Sequence, residues 1–144
     1  MLPIDASLGE GGGQVLRTAL TLSILTGTPV RLTNIRARRP KPGLQAQHLQ
    51  AVQAAAAICA GDLRGAEMHS TELEFHPGQV KGGRYRFAIP TAGSACLVLQ
   101  TIALPLALAQ GPSTVTIRGG THVPWSPSFH YLEHQWLPHL QAAG

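Results

Sequence analysis

Leu2-Pro3-Ile4-Asp5-Ala6, then Gly9-Glu10-Gly11-Gly12-Gly13, then Gln14-Val15-Leu16-Arg17-Thr18-Ala19-Leu20 is the stretch on which the reading of this chain turns. A short extended run gives way to a glycine cluster and then to apolar residues at helical spacing. Leu16, Ala19, Leu20 and Ser23 fall on one face, which predicts a helix over about Gln14 to Leu25, closed by Gly27. Strand, glycine turn and helix in that order open a β-α-β unit. The next segment, Val30 to Ile35, sets Val30, Leu32 and Asn34 against Arg31, Thr33 and Ile35, and its β-branched content predicts a strand. A second helix is expected from about Leu44 to Ala60, with Leu49, Val52, Ala56 and Cys59 along one side and Gly61 at its end. Leu63 to Met68 and Glu72 to His76 read as two short strands before the turn signal Pro77-Gly78.

The order then starts again. Arg84 to Ile89 reads as a strand, Ala92 to Ala109 as a helix and Thr114 to Arg118 as a strand. Ser128 to Ala142 reads as a helix with Phe129, Leu132, Trp136 and Leu140 aligned. Corresponding elements recur roughly 80 residues apart, the spacing of a repeated supersecondary unit. The expected fold is α/β (α+β), built of repeated β-α-β-α-β-β units with helices packed on mixed sheets. Unit one covers about 1–79, and unit two, about 80–144, lacks its closing strand pair. An unfinished unit leaves a sheet edge that proteins normally cover, so a second chain or a C-terminal segment is expected to complete it.

Composition fits one such body. With 144 residues, 44% of them hydrophobic and only 12% charged, the chain has enough apolar surface for a single core and too few charges for a disordered one. A formal charge of +4 favours an anionic partner such as nucleic acid or a nucleotide. Cys59 and Cys96 lie in apolar runs and read as small buried hydrophobes, which argues against a disulfide framework. No basic stretch followed by an apolar run and a cleavage site opens the chain, and a cytoplasmic location is expected. The longest apolar run, Ala95 to Ala109, is interrupted by Gln100, Thr101 and Pro105 and falls short of the ~20 residues that span a bilayer, so it reads as a core helix.

Two clusters carry chemistry. Three consecutive glycines between a strand and a helix start let a ligand approach the backbone closely, and the free N–H groups of a helix start attract anions. Glu10 beside them is placed to hold a magnesium ion that bridges phosphate oxygens; the alternative is a mobile glycine turn with a solvated carboxylate. The loop is neither a Walker A sequence nor a dinucleotide fingerprint. The second cluster, Ile35-Arg36-Ala37-Arg38-Arg39-Pro40-Lys41-Pro42-Gly43-Leu44, puts four cations at a strand end on a backbone stiffened by two prolines. Guanidinium forks suit phosphate, although a plain basic loop would have the same composition. Gln47 and His48 follow within a turn and either point back at this site or, for His48, cap or lie on the surface. His69, His76, His122, His130, His134 and His139 show no metal pattern. His130 and His134 have helical chelating spacing, but no HExxH, cysteine pair or acidic cluster accompanies them, which favours surface histidines. Ser94 and Cys96 sit at a helix start without an assignable His/Asp partner.

Four ordered blocks give the chain a wider likeness: Gly9 to Arg17; Ile35 to Leu44 continuing to Gln47-His48-Leu49; Tyr85-Arg86-Phe87 leading to Ala92-Gly93-Ser94 and Leu97-Val98-Leu99-Gln100-Thr101; and Gly119-Gly120-Thr121. In these the sequence resembles the RNA 3'-terminal phosphate cyclases. The resemblance implies ATP-dependent conversion of an RNA 3'-terminal phosphate to a 2',3'-cyclic phosphate. ATP first adenylates an enzyme histidine, AMP then passes to the RNA phosphate, and the 2'-hydroxyl attacks. It implies ATP and Mg²⁺ (or Mn²⁺) as cofactors and RNA with a 3'-terminal phosphate as partner. Glu10 is implied as the metal-contacting carboxylate. Arg17, Arg36, Arg39 and Gln47, with the turn Gly11, Gly12 and Gly13, are implied to bind ATP phosphates or the RNA phosphate end, and Gln100 and Pro127 to line the nucleotide pocket. Family members are considerably longer and carry the AMP-accepting histidine in their C-terminal part. That histidine is expected beyond Gly144, no catalytic residue is assigned here, and this chain alone is expected to be incomplete as an enzyme. His122-Val123-Pro124-Trp125-Ser126 departs from the more polar sequence of the best-known members. The rival readings are a non-catalytic cyclase-like factor that binds RNA or assists ribosome assembly, and an inactive truncated fragment. Retention of Glu10, Arg17, Arg36, Arg39 and Gln47 favours the enzyme lineage.

Overall fold

A computed structural model describes residues 1–144. Strand β1 (Leu2–Asp5) runs through the glycine turn into helix α1 (Gly13–Thr26) and returns in β2 (Val30–Thr33), which pairs with β1 in parallel. Helix α2 (Ala46–Cys59) leads to β3 (Asp62–Arg64) and β4 (Leu73–His76). β4 pairs antiparallel with both β2 and β3, giving a four-stranded mixed sheet in the order β1-β2-β4-β3. The second pass is β5 (Arg84–Ala88), α3 (Ala95–Ala107) and β6 (Thr114–Arg118), with β5 and β6 paired in parallel in a separate two-stranded sheet. It ends in α4 (Phe129–Tyr131), a π-helical segment (Leu132–Trp136) and α5 (Leu137–Ala142). The mixed α+β architecture of repeated β-α-β passes is thus the one expected.

The first sheet has one dry face and one wet one. Val30, Leu32, Leu73 and Phe75 point into a single core with Leu16 and Leu20 of α1, Val52 and Ile58 of α2, and Val98 and Ile102 of α3. The alternate residues Arg31, Arg64 and Glu74 lie in register on the other face. There Arg31 pairs with Glu72 at 3.1 Å and with Glu74 at 3.8 Å, an exposed cross-strand ladder. Helices α1, α2 and α3 pack on one another over the dry face. Pro105 lies inside α3 and has no N–H for the carbonyl of Thr101 four residues earlier. The Thr21 hydroxyl of α1 lies 2.9 Å from that oxygen and 3.0 Å from the Arg17 carbonyl of its own helix. Its one proton is shared between a carbonyl that already has its helical donor and one that lacks it, which ties the two helices together.

Several boundaries differ from expectation for local reasons. β2 ends at Thr33 rather than Ile35 because Asn34 and Arg36 take left-handed backbone (φ 55° each), so Ile35 rotates inward and is fully buried instead of following the strand's outward set. α2 begins at Ala46, with Gln45 rather than Leu44 at its start, and its left-handed closing residue is Ala60 rather than Gly61. β3 stops at Arg64, where Gly65 turns the chain (φ 76°), instead of reaching Met68. α3 starts at Ala95, since Ser94 is extended and its hydroxyl accepts from the Leu97 N–H at 3.2 Å. The C-terminal helix is not a single amphipathic element: none of its residues is buried. Pro138 leaves the His134 carbonyl without its usual donor, and the ladder over Leu132–Trp136 widens to π spacing just before it.

Candidate functional site

The glycine turn is built from β1 outward. Asp5 Oδ1 accepts from the Ser7 N–H at 2.9 Å and from Asn34 Nδ2 at 3.2 Å, holding the start of the turn against the end of β2. Gly11 then adopts φ 59°, a conformation that a side chain strains. Gly12 caps α1 without a side-chain partner, and the first turn of the helix carries no acidic residue, so its amide N–H groups are left for a ligand. Gly13 is required for packing: a Cβ there would lie 2.5 Å from His48 Nε2 and 2.9 Å from Arg17 Nη1. The turn therefore admits two basic side chains directly beneath the helix start.

Arg17 is 8% exposed. Its Nη2 donates to Gln14 Oε1 at 2.8 Å, its Nε is buried without a partner, and no carboxylate reaches it. Burial pulls its pKa down, the sign of a cation held at a cost in solvation. Arg36 comes from the other side. Its strained backbone sits in a loop fixed by Ile35 N to Thr71 O at 3.0 Å and Leu44 N to Ser70 O at 2.9 Å, and its Nη1 donates to the carbonyls of Lys41 and Gly43. Burial, and then the neighbouring Arg39, lower its pKa too. Arg39 closes the ring by pairing with Glu10 at 3.3 Å across the cleft mouth. His48 lies between Arg17 and Arg36 with its Nδ1 buried and unpartnered. Burial and the two arginines hold its pKa at about 4, so the imidazole is neutral near pH 7.

These side chains share one open cleft of about 1150 Å³. Glu10, Gly11, Gly12, Gly13, Arg17, Arg36, Arg39 and Gln47 all line it, together with His48, Trp125 and Ser126. Arg38 and Lys41 do not, so the basic loop sends two of its four cations inward. Gln47 is engaged structurally: its Oε1 accepts the Ser94 N–H at 2.7 Å and so ties α2 to the start of α3. Gln100 and Pro127 lie elsewhere. They line a neighbouring cavity of about 160 Å³ with Cys96, Tyr131, Leu132 and Trp136. The segment 124 to 127 is divided between the two, with Pro124, Trp125 and Ser126 lining the larger and Pro127 the smaller. Sequence reasoning left His48 undecided and gave Trp125 no role. The spacing of His48 one turn after the arginine loop was a usable signal, whereas a lone Trp between two prolines was not. The histidines do gather on the last helix, where ligand atoms of His130, Glu133 and His134 lie within 4.8 Å of one another, all exposed.

A sequence model of the family described as RNA 3'-terminal phosphate cyclase matches residues 8–144. The chain belongs to the RNA 3'-terminal phosphate cyclase family. It is 56% identical to the RNA 3'-terminal phosphate cyclase of Methylococcus capsulatus and 51% identical to that of Archaeoglobus fulgidus, each over 100% of this chain. It spans 42% and 44% of those two proteins, so the cyclase relatives are more than twice as long. No helix is long and apolar enough to cross a membrane.

Proposed function

We propose that the cleft grips phosphoryl groups in the ATP-dependent cyclisation of RNA 3'-phosphate ends, and that residues about 1–79 and 80–144 are one full and one partial copy of the family's repeated unit, acting in the cytoplasm. One observation carries this reading. Two guanidinium groups that no carboxylate neutralises, Arg17 and Arg36, face the same cleft as an uncapped helix start. An uncompensated cation in a partly dry site is costly in the free protein and becomes favourable when a phosphate enters. Arg39 is held by Glu10 until an anion competes for it, which leaves that carboxylate free to face a metal ion.

Glu10 is the only acidic residue lining the cleft and its side chain is 92% exposed, which suits Mg²⁺, an ion that takes one or two carboxylates and draws its remaining ligands from phosphates and water. Bound there, the metal would supply charge neutralisation of the transferring phosphoryl group. Arg17 and Arg36 would hold the non-bridging oxygens in place. Neutral His48 would fill the floor without adding a positive charge to those of the arginines. Gln47 would keep the first and second passes in register while the cleft is loaded. The adenylated steps of the reaction use a nucleophile that we assign to none of the seven histidines here.

The test is binding of a short RNA ending in a 3'-phosphate, measured by fluorescence anisotropy against the same RNA ending in a 3'-hydroxyl. The phosphorylated end should bind more tightly, weaken as salt rises, and lose about tenfold in affinity in Arg36→Ala, as expected for a charge-assisted phosphate contact. Equal binding of both ends, or an Arg36→Ala protein that binds like the parent, would refute the reading.

A further inference from the structure

Trp125 is 100% exposed, the most exposed large apolar side chain in the molecule, and it stands on the rim of the cationic cleft. Its backbone is left-handed (φ 63°), where a bulky residue rarely sits. Nothing loose places it there. The Gly120 N–H donates to Gly93 O at 2.8 Å, the Phe129 N–H donates to Thr121 O at 2.9 Å, and the Ser126 hydroxyl is in close contact with the buried hydroxyl of Ser94. Both ends of the segment are thus anchored to the body of the protein while the indole is presented outward.

We infer that Trp125 is a stacking platform for the nucleobase of an RNA end whose 3'-phosphate lies in the arginine cleft. An exposed aromatic ring beside a cation-lined groove is the pair of features that single-stranded nucleic acid requires, a flat face for the base and positive charge for the backbone. The adenine of ATP is the other nucleobase to weigh. The smaller cavity offers adenine Gln100 and the rings of Tyr131 and Trp136, and it does not include Trp125, which leaves the indole to RNA. The left-handed backbone fits this role, because a strained turn at Trp125 turns the side chain outward at a site where strain has a use. This inference rests on the phosphate reading of the cleft.

The experiment compares two 3'-phosphorylated RNAs, one intact and one lacking the base of its terminal nucleotide, bound to the parent protein, Trp125→Ala, Trp125→Phe and Arg36→Ala. Base–aromatic stacking leads us to expect about a tenfold loss for the intact RNA in Trp125→Ala, little loss in Trp125→Phe, and no difference between parent and Trp125→Ala for the abasic end. Arg36→Ala should weaken both RNAs. If Arg36→Ala weakens both but Trp125→Ala changes neither, the stacking inference fails and the phosphate reading stands. If Trp125→Ala weakens both RNAs alike, the indole acts on the backbone and the inference fails. If it weakens ATP binding and spares RNA, the base on the indole is adenine and the inference again fails. Indifference of every protein to the 3'-phosphate would overturn both readings.

Discussion

Helices α3 and the C-terminal α4–π–α5 run each contain a proline, and the molecule answers the two differently. Pro105 lies in a buried helix, and the carbonyl it orphans receives the Thr21 hydroxyl from α1 at 2.9 Å. Pro138 lies in a helix with no buried residue, and there the ladder widens to π spacing. The first freed carbonyl belongs to Thr101, which is fully buried, and the second to His134, which is exposed. An interior demands a dedicated partner for every backbone group, whereas a surface tolerates an irregular ladder. The same contrast separates the candidate site from the last helix: the cleft is packed, strained and cationic, and the C-terminal helix leaves Phe129, Tyr131, Leu137 and Leu140 open to solvent.

The largest effect expected of the buried side is on acid stability. His48 has its pKa held at about 4 by burial and by Arg36 and Arg17, against an ordinary value of 6.5. Between those two values the unfolded chain takes up a proton that the folded chain refuses. Stability is therefore full above about pH 6.5 and falls as pH drops toward 4, by at most about 3 kcal/mol for this group. Urea unfolding at pH 7 and pH 4.5 should show His48→Gln losing less stability on acidification than the parent. Equal pH slopes in the two proteins would mean that the imidazole is solvated or paired, and that the cleft floor is not dry.

A smaller effect tests the proline repair directly. Thr21→Val keeps the shape of the side chain and deletes the donor, so it leaves the Thr101 carbonyl buried without a partner and should cost about 1–3 kcal/mol. Adding Pro105→Ala restores an N–H within α3 and should recover much of that loss. If the two substitutions simply add, Thr21 is an ordinary core contact and has no part in repairing the helix.

How far the sequence was legible follows the same division. Strand and helix order and the glycine turn were readable because each depends on local spacing, as with Leu16, Ala19 and Leu20 at helical intervals; spacing marked the four-cation loop as a whole, and only the family resemblance singled out Arg36 and Arg39. Three features depend on contacts far along the chain and were not readable. Ile35 turned inward only because Asn34 and Arg36 adopt left-handed backbone against residues 70 and 71. Gln47 spends its carbonyl on Ser94, 47 residues later. Gln100 and Pro127 share a cavity separate from the arginine cleft because α3 and the segment before α4 meet there, a long-range arrangement that no local pattern announces. The last helix failed in the opposite sense: Phe129, Leu132, Trp136 and Leu140 have the spacing of a core stripe, but no element packs against them closely enough to bury one.

The smallest effect is expected on that helix. Leu140 is 41% exposed and Leu106 of α3 is 7% exposed, although both are leucines of one chain's helices. Truncating an exposed leucine removes little buried surface and leaves no cavity, so Leu140→Ala should change the free energy of unfolding by no more than about 0.5 kcal/mol. A loss of 2 kcal/mol or more, the size of a core truncation, would require a partner surface over α5 in solution. Since a face covered by a second copy is protected by mass action, that loss should then grow with protein concentration, and one that did not would place the cover within the same chain.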